Sequence, residues 1–143
     1  AGVDIDLLVR GNCSLVTGIP DVSDHIRIHG IIDRYLEHSR IFVFAAGGEE
    51  RVFIGSADWM TRNLDHRVEV VTPIYDPAIK EEMKRIVDYG FRDTLQARIV
   101  DGEGKNLFCE APEGEPPFRS QEALYEYYRE AEQSNEEKGN DDD

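Results

Sequence analysis

Two short, unbroken apolar runs stand out along the chain: Ile41 to Phe44 and Val52 to Ile54. Both are rich in β-branched and aromatic residues and too short for helices, so they predict buried strands. Gly47-Gly48 between them supplies backbone that reaches positive φ without a Cβ clash, and the pair is expected to close as a hairpin. His38 and Ser56 then lie near one end of adjacent strands, the end opposite the turn. Arg40, Arg62 and Arg67 fall on or beside that same rim.

The remaining chain is patterned more weakly. Val3 to Val9 alternates and then turns fully apolar, which predicts a strand running into the core, with Arg10 projecting from its carboxyl end. Residues 11 to 24 carry Gly18, Pro20, Asp21 and Ser23 and read as a loop. Ile26 and Ile28 alternate with Arg27 and His29 and favour a strand to about Ile32, and residues 33 to 37 fit either a helical turn or a bulged continuation. After Arg67, Val68 and Val70 predict another strand, stopped by Pro73. Asp76-Pro77 is a helix start, with an acid at the N-cap and proline at the first helical position. Ile79, Met83, Ile86, Val87 and Phe91 mark the apolar face of that helix, which is expected to run to about Thr94. A short strand over Gln96 to Val100, a turn to Lys105, a proline-rich connector and a helix from Ser120 to about Gln133 complete the elements. From Ser134 the acidic composition predicts disorder.

Length bounds the answer to one domain, since 143 residues bury roughly 70% of their unfolded surface. Charged residues at 32% and hydrophobics at 40% suit a globular protein. No apolar run approaches the ~20 residues of a membrane span. There is no amino-terminal signal and no initiating Met, so Ala1 is expected to be a cloning boundary. Cys13 and Cys109 lack CxxC spacing and read as reduced thiols of a cytoplasmic protein, with a disulfide left open.

The net charge of -14 looks hostile to phosphate, but 12 acids and only 3 bases fall in residues 110 to 143. More telling, every basic residue before Lys80 is arginine: Arg10, Arg27, Arg34, Arg40, Arg51, Arg62 and Arg67. Arginine presents a planar fork that grips phosphate or carboxylate at two points, whereas lysine is a hydrated point charge. For any single member a structural Arg–Asp pair is the simpler reading; the set points to an anion site.

His25, His29 and His66 lack an associated motif and read as surface or half-buried side chains, and no zinc pattern is present. His38 differs, because it opens HxR before a buried strand that is followed by GSAD. Residues two apart on a strand share a face, so His38 and Arg40 resemble the HxK pair of phosphodiesterases of the phospholipase D type, with arginine in place of lysine. Ala45 stands where that motif has an Asp, expected to orient the imidazole, and Ser56 and Asp58 stand at its later GSxN. No P-loop is present, and Gly47-Gly48 with Glu49 and Glu50 beside it is a turn.

The stretches VDIDLLVRGNCSL, IRIHGIIDRYLEHSRIFVF and GSADWMTRNLDHRVEV closely resemble the carboxy-terminal part of bacterial polyphosphate kinase, the long-chain-synthesising type, over roughly Gly2 to Asp101. The resemblance implies an α/β (α+β) fold, a phospholipase-D-like mixed sheet flanked by helices and incomplete at the amino-terminal end. Residues 1–109 would form most of this catalytic domain, 110–119 a connector, and 120–143 a helix and acidic tail. It implies reversible transfer of the terminal phosphate of ATP to polyphosphate, in the cytoplasm, with peripheral contact to the inner membrane left open. His38 would be catalytic, with Arg10, His38 and Arg67 binding ATP or phosphate and Arg40 and Arg62 as further choices from the same motifs. The phosphorylated histidine, the Mg2+ ligands and the nucleotide-stacking tyrosine would lie outside this chain. Partners would be ATP, ADP, polyphosphate, the rest of the kinase chain and further copies in a homo-oligomer, with no nucleic acid. The absence of Asp at position 45 suits a kinase, in which water must not be activated. A phosphodiesterase using His38 as nucleophile, and a non-catalytic phosphate-binding module, remain the alternatives.

Overall fold

A computed structural model describes residues 2–11 and 13–140, with side chains to residue 134. Among these, the chain divides into two compact units, one joining the residues up to Leu36 to those from Tyr89 on, the other being Glu37–Asp88.

In the first unit, β1 (Ile5–Val9) pairs in parallel with β2 (Ile26–Ile31), Ile5 opposite Ile26 and Val9 opposite Gly30. β6 (Ala97–Ile99) adds to the other side of β2 in the antiparallel sense. The intervening loop is long because parallel neighbours require a crossover. Ile31, Ala97 and Cys109 form the buried core with Leu8 packed against it. Gly90, near the end of α2 (Pro77–Arg92), is buried against Leu8, whose Cδ1 would lie 2.6 Å from an added Cβ and would have to shift to admit one. Cys13 and Cys109 are both free thiols.

One carboxylate ties this unit together. Asp93 is fully buried just after α2, and its Oδ1 accepts the backbone N–H groups of Leu95, Gln96 and Ala97 at 3.0, 2.7 and 3.2 Å. Its Oδ2 accepts the N–H and the hydroxyl of Ser120, each at 2.7 Å, which fixes the start of α3 (Ser120–Asn140). A second anchor is Arg119, whose Nε and Nη2 grip Asp33 at 3.0 and 2.6 Å.

In the second unit, β3 (Ile41–Phe44) and β4 (Arg51–Gly55) form the expected hairpin, Ile41 opposite Ile54 and Phe44 opposite Arg51. Its turn is a short 3-10 segment, Ala46–Gly48, with Gly47 and Gly48 at φ of 67° and 101°, values that glycine tolerates. β5 (Val71–Ile74) pairs antiparallel with β4. A single turn of helix, α1 (Thr61–Leu64), precedes it. The helix start at Asp76-Pro77 forms as expected: the Asp76 carboxylate accepts the N–H groups of Ala78 and Ile79 at 2.8 and 3.1 Å.

Two expectations are corrected. The strand expected to start at Val68 and stop at Pro73 instead starts at Val71 and runs through Pro73, opposite Phe53; β5 is an edge strand, where a missing N–H can face away from the neighbour. The acidic stretch from Ser134 continues α3 to Asn140, while residues 141–143 lie outside the described chain.

Burial alone would raise the carboxyl of Asp93, but the N–H groups of Gln96, Ser120 and Ala97 and the Ser120 hydroxyl outweigh it and hold the group below its ordinary range. The stability it contributes is therefore present above the unfolded value of about 3.9 and lost as pH falls through the lower folded one. Asp93→Asn cannot accept at both ends of the group, and we expect a loss of about 1–3 kcal/mol in urea unfolding at neutral pH. The loss should shrink toward acid, where both chains carry a neutral group.

Candidate functional site

The rim of the β3–β4 hairpin opposite its turn is where the second unit concentrates its polar chemistry. Arg40 precedes β3 and its carbonyl accepts the Gly55 N–H at 2.9 Å, so the residues flanking both strands are brought level. Space is tight at Gly55, where an added Cβ would lie 3.3 Å from the Phe42 ring and 3.4 Å from the Val70 carbonyl. Beyond it, Ser56 zips the approach to β5 onto β4. Its N–H donates to Val70 O at 3.0 Å, its Oγ accepts the Val70 N–H at 3.0 Å, and its hydroxyl donates to the Glu69 carboxylate.

Arg40 faces three acceptors. Its Nε and Nη2 donate to Oδ1 of Asp58 at 3.2 and 3.0 Å, with both side chains largely out of solvent at 16% and 22% exposure. Its Nη1 donates to the His38 carbonyl at 3.0 Å and lies 3.1 Å from His38 Nδ1. A guanidinium has no acceptor, so Nδ1 is the acceptor in that contact.

Glu69 is held from two sides, by the Ser56 hydroxyl and by Nδ2 of Asn63 at 2.7 Å, the one buried residue of α1. These bonds first, and the charges of Arg67 and Arg40 after them, keep the Glu69 carboxyl below its ordinary range. Arg67 is exposed and makes no ion pair among the described residues. Glu69, two positions away, feels the charge of Arg67 but accepts its hydrogen bonds from Ser56 and Asn63 and makes no ion pair with it. Arg62 is likewise exposed on α1. Trp59 stacks on Phe42 at 6.2 Å between centroids yet stays 73% exposed.

Among the sequence-selected residues, His38 and Arg40 are thus in direct contact, and Arg40 and Arg67 both act on Glu69. Arg10 is half-buried immediately after β1 in the first unit. Ala45 sits at the turn end of β3, and the strand alone puts roughly 10 Å between that position and the His38 rim. An Asp at position 45 could not have oriented this imidazole; Arg40 does so. Sequence reasoning pairs neither Asp58 nor Asn63 with these residues, and the ion pair it offers for Arg67, with Asp65 or Glu69, does not form: Glu69 bonds Ser56 and Asn63 instead. The hairpin register could have found Asp58, since Arg40 lies level with Gly55, three residues before it. Among the described residues no group of three His, Cys, Asp or Glu side chains is placed to hold a metal ion.

Residues 1–121 match the family model described as polyphosphate kinase C-terminal domain 2. The chain belongs to that family. It is 47% identical over 135 residues to a polyphosphate kinase of Escherichia coli O6:H1, covering 94% of this chain and 19% of the relative. A polyphosphate kinase of Vibrio cholerae is also 47% identical, over 132 residues, covering 92% of this chain and 19% of the relative. A crystal structure of polyphosphate kinase from Porphyromonas gingivalis superposes with a TM-score of 0.85 at 44% identity, covering 93% of this chain and 20% of that one. The chain therefore spans about a fifth of the length of the relatives it matches, and its mixed α/β fold is theirs over this stretch. Among the described residues no helix is long and apolar enough to cross a membrane.

Carbon-detected NMR titration of the side-chain carboxyls should place the Glu69 midpoint below that of an ordinary glutamate. Ser56→Ala removes the leading cause and should move it upward, toward the ordinary value. A wild-type midpoint at or above the ordinary range contradicts the network around Glu69.

Proposed function

We propose that this chain is the carboxy-terminal part of an ATP:polyphosphate phosphotransferase and that its rim residues bind phosphate oxygens during transfer of the terminal phosphate of ATP to polyphosphate. The observation that carries this reading is Arg67: a rim guanidinium without an ion-pair partner among the described residues, while the acid two positions away is held by Ser56 and Asn63. An exposed fork outside any ion pair among the described residues is suited to a bidentate phosphate contact. Family membership supports the same reading, since the relatives are named polyphosphate kinases.

Phosphoryl transfer asks mainly for positioning and for neutralisation of spreading negative charge. In this reading Arg67 clamps a pair of phosphate oxygens and His38 donates a hydrogen bond to another. Arg10, at the end of β1, is a separate phosphate ligand offered by the first unit, and Arg62 is a peripheral cation. Magnesium would arrive with the nucleotide, its protein ligands lying outside this chain. The fold is expected to be of the phospholipase D type, working in the cytoplasm within a homo-oligomer.

Arg67→Lys in the full-length enzyme separates a phosphate grip from a surface ion pair. An exposed pair is worth about 0–1 kcal/mol and lysine would replace it. A bidentate contact that strengthens in the transition state costs about 2.7–4 kcal/mol when lost, roughly a hundredfold or more in kcat, with the melting temperature nearly unchanged. Retained turnover, or a loss of stability in place of turnover, would make Arg67 structural. The 143-residue chain alone should bind polyphosphate in a salt-sensitive manner but synthesise none, because the phosphate-accepting histidine is expected elsewhere in the full-length protein. Polymer synthesis from ATP by this chain would refute that division of labour.

A further inference from the structure

Arg40 occupies the position at which the sequence suggested a phosphate-binding cation, yet its fork is already committed. Nε and Nη2 both face Asp58 Oδ1, and Nη1 is shared between the carbonyl and the Nδ1 of His38. At 16% exposure its side chain has little access to a ligand. We propose that Arg40, held by Asp58, is a positioning residue that fixes the His38 ring with its proton on Nε2, so that His38 offers a phosphate oxygen an N–H donor and no lone pair.

The argument is one of donor and acceptor inventory. All five guanidinium N–H groups are donors, so the ring nitrogen that meets Nη1 must supply a lone pair. In a neutral imidazole the single proton then resides on the other nitrogen. Asp58 makes the arrangement rigid: its Oδ1 holds the Nε–Nη2 edge of the guanidinium, which keeps Nη1 turned toward His38. The hydrogen bond to the His38 carbonyl fixes the backbone of the same residue, which limits where the ring can swing.

The inference rests on the reading of His38 as a phosphate ligand and deepens it. It also bears on the phosphodiesterase alternative. A nucleophilic imidazole attacks through a lone pair, and here one nitrogen's pair is engaged by Arg40 while the other nitrogen carries the proton. The ring as held can donate to an oxygen but cannot attack phosphorus without first losing that arrangement.

Long-range proton–nitrogen NMR of the histidine rings, in this chain at alkaline pH where imidazoles are neutral, reads the tautomer directly. We expect wild-type His38 to show a protonated Nε2 and an unprotonated Nδ1; a protonated Nδ1, or an even mixture, overturns the proposal. Arg40→Glu combined with Asp58→Lys keeps opposite charges in place but turns an acceptor toward Nδ1, and the proton should move to Nδ1. Arg40→Gln, whose amide can present its carbonyl, should shift the population the same way if the charge-swapped pair does not fold. A tautomer that ignores a folded variant refutes the role of Arg40.

In full-length enzyme, Arg40→Gln should then lower kcat by roughly a hundredfold or more with little change in the KM for ATP. A ring that responds while turnover persists leaves Arg40 as the residue that sets the tautomer and removes His38 from the transfer step, so that it is the functional reading that fails. Turnover that falls while the ring stays unchanged means that Arg40 acts by another route and overturns the inference.

Discussion

The antiparallel register of β3 and β4 is the constraint on which the rim depends. With Ile41 fixed opposite Ile54, the residue before β3 and the residues after β4 must meet, and their identities decide what the rim can do. A one-residue slip would exchange the faces of every side chain in the pair. It would also separate Arg40 from Asp58. The ion pair of Arg40 with Asp58 is thus both a consequence of that register and a lock upon it, while the hydrogen bonds of Ser56 with Val70 extend the neighbouring β4–β5 pairing.

The rim sorts its arginines by what already neutralises them. Arg40 is paired and largely buried, and its charge serves a neighbouring ring and a neighbouring carboxylate. Arg67 is left exposed, with Glu69 drawn away by a hydroxyl and an amide. Two cations from one stretch of sequence therefore have different surroundings, and the difference lies in their partners. The same principle explains how a chain of net charge -14 can present a cationic site: local pairing, not the total, sets what a phosphate meets.

Much of this was legible before any coordinates. The apolar runs and the Gly47-Gly48 turn define the hairpin, and the Asp76-Pro77 cap defines the start of α2, because these signals are local and each has one dominant mechanism. The strand containing Pro73 was misplaced because proline was read as a stop, which holds for central strands and fails at an edge. Asp93 gave no signal at all: a lone acid after a helix becomes a buried hub only when α3, distant in sequence, brings Ser120 to it. His38, Arg40 and Arg67 could be picked out as chemistry, but the division of labour among them depends on Asp58, Asn63 and Glu69, and those pairings follow from tertiary register. Position 45, where the motif's Asp is replaced by Ala, lies at the turn end of β3, a strand's length from the rim.

The most direct test of a rim built to hold phosphate is NMR of this chain titrated with inorganic tripolyphosphate, following the arginine guanidinium and histidine ring resonances. The account predicts salt-sensitive shifts at the Arg67 guanidinium and at His38 Nε2, with the Arg40 side chain nearly silent because Asp58 holds it. Shifts dominated by Arg40, or confined to arginines away from the rim such as Arg27 and Arg51, would contradict it.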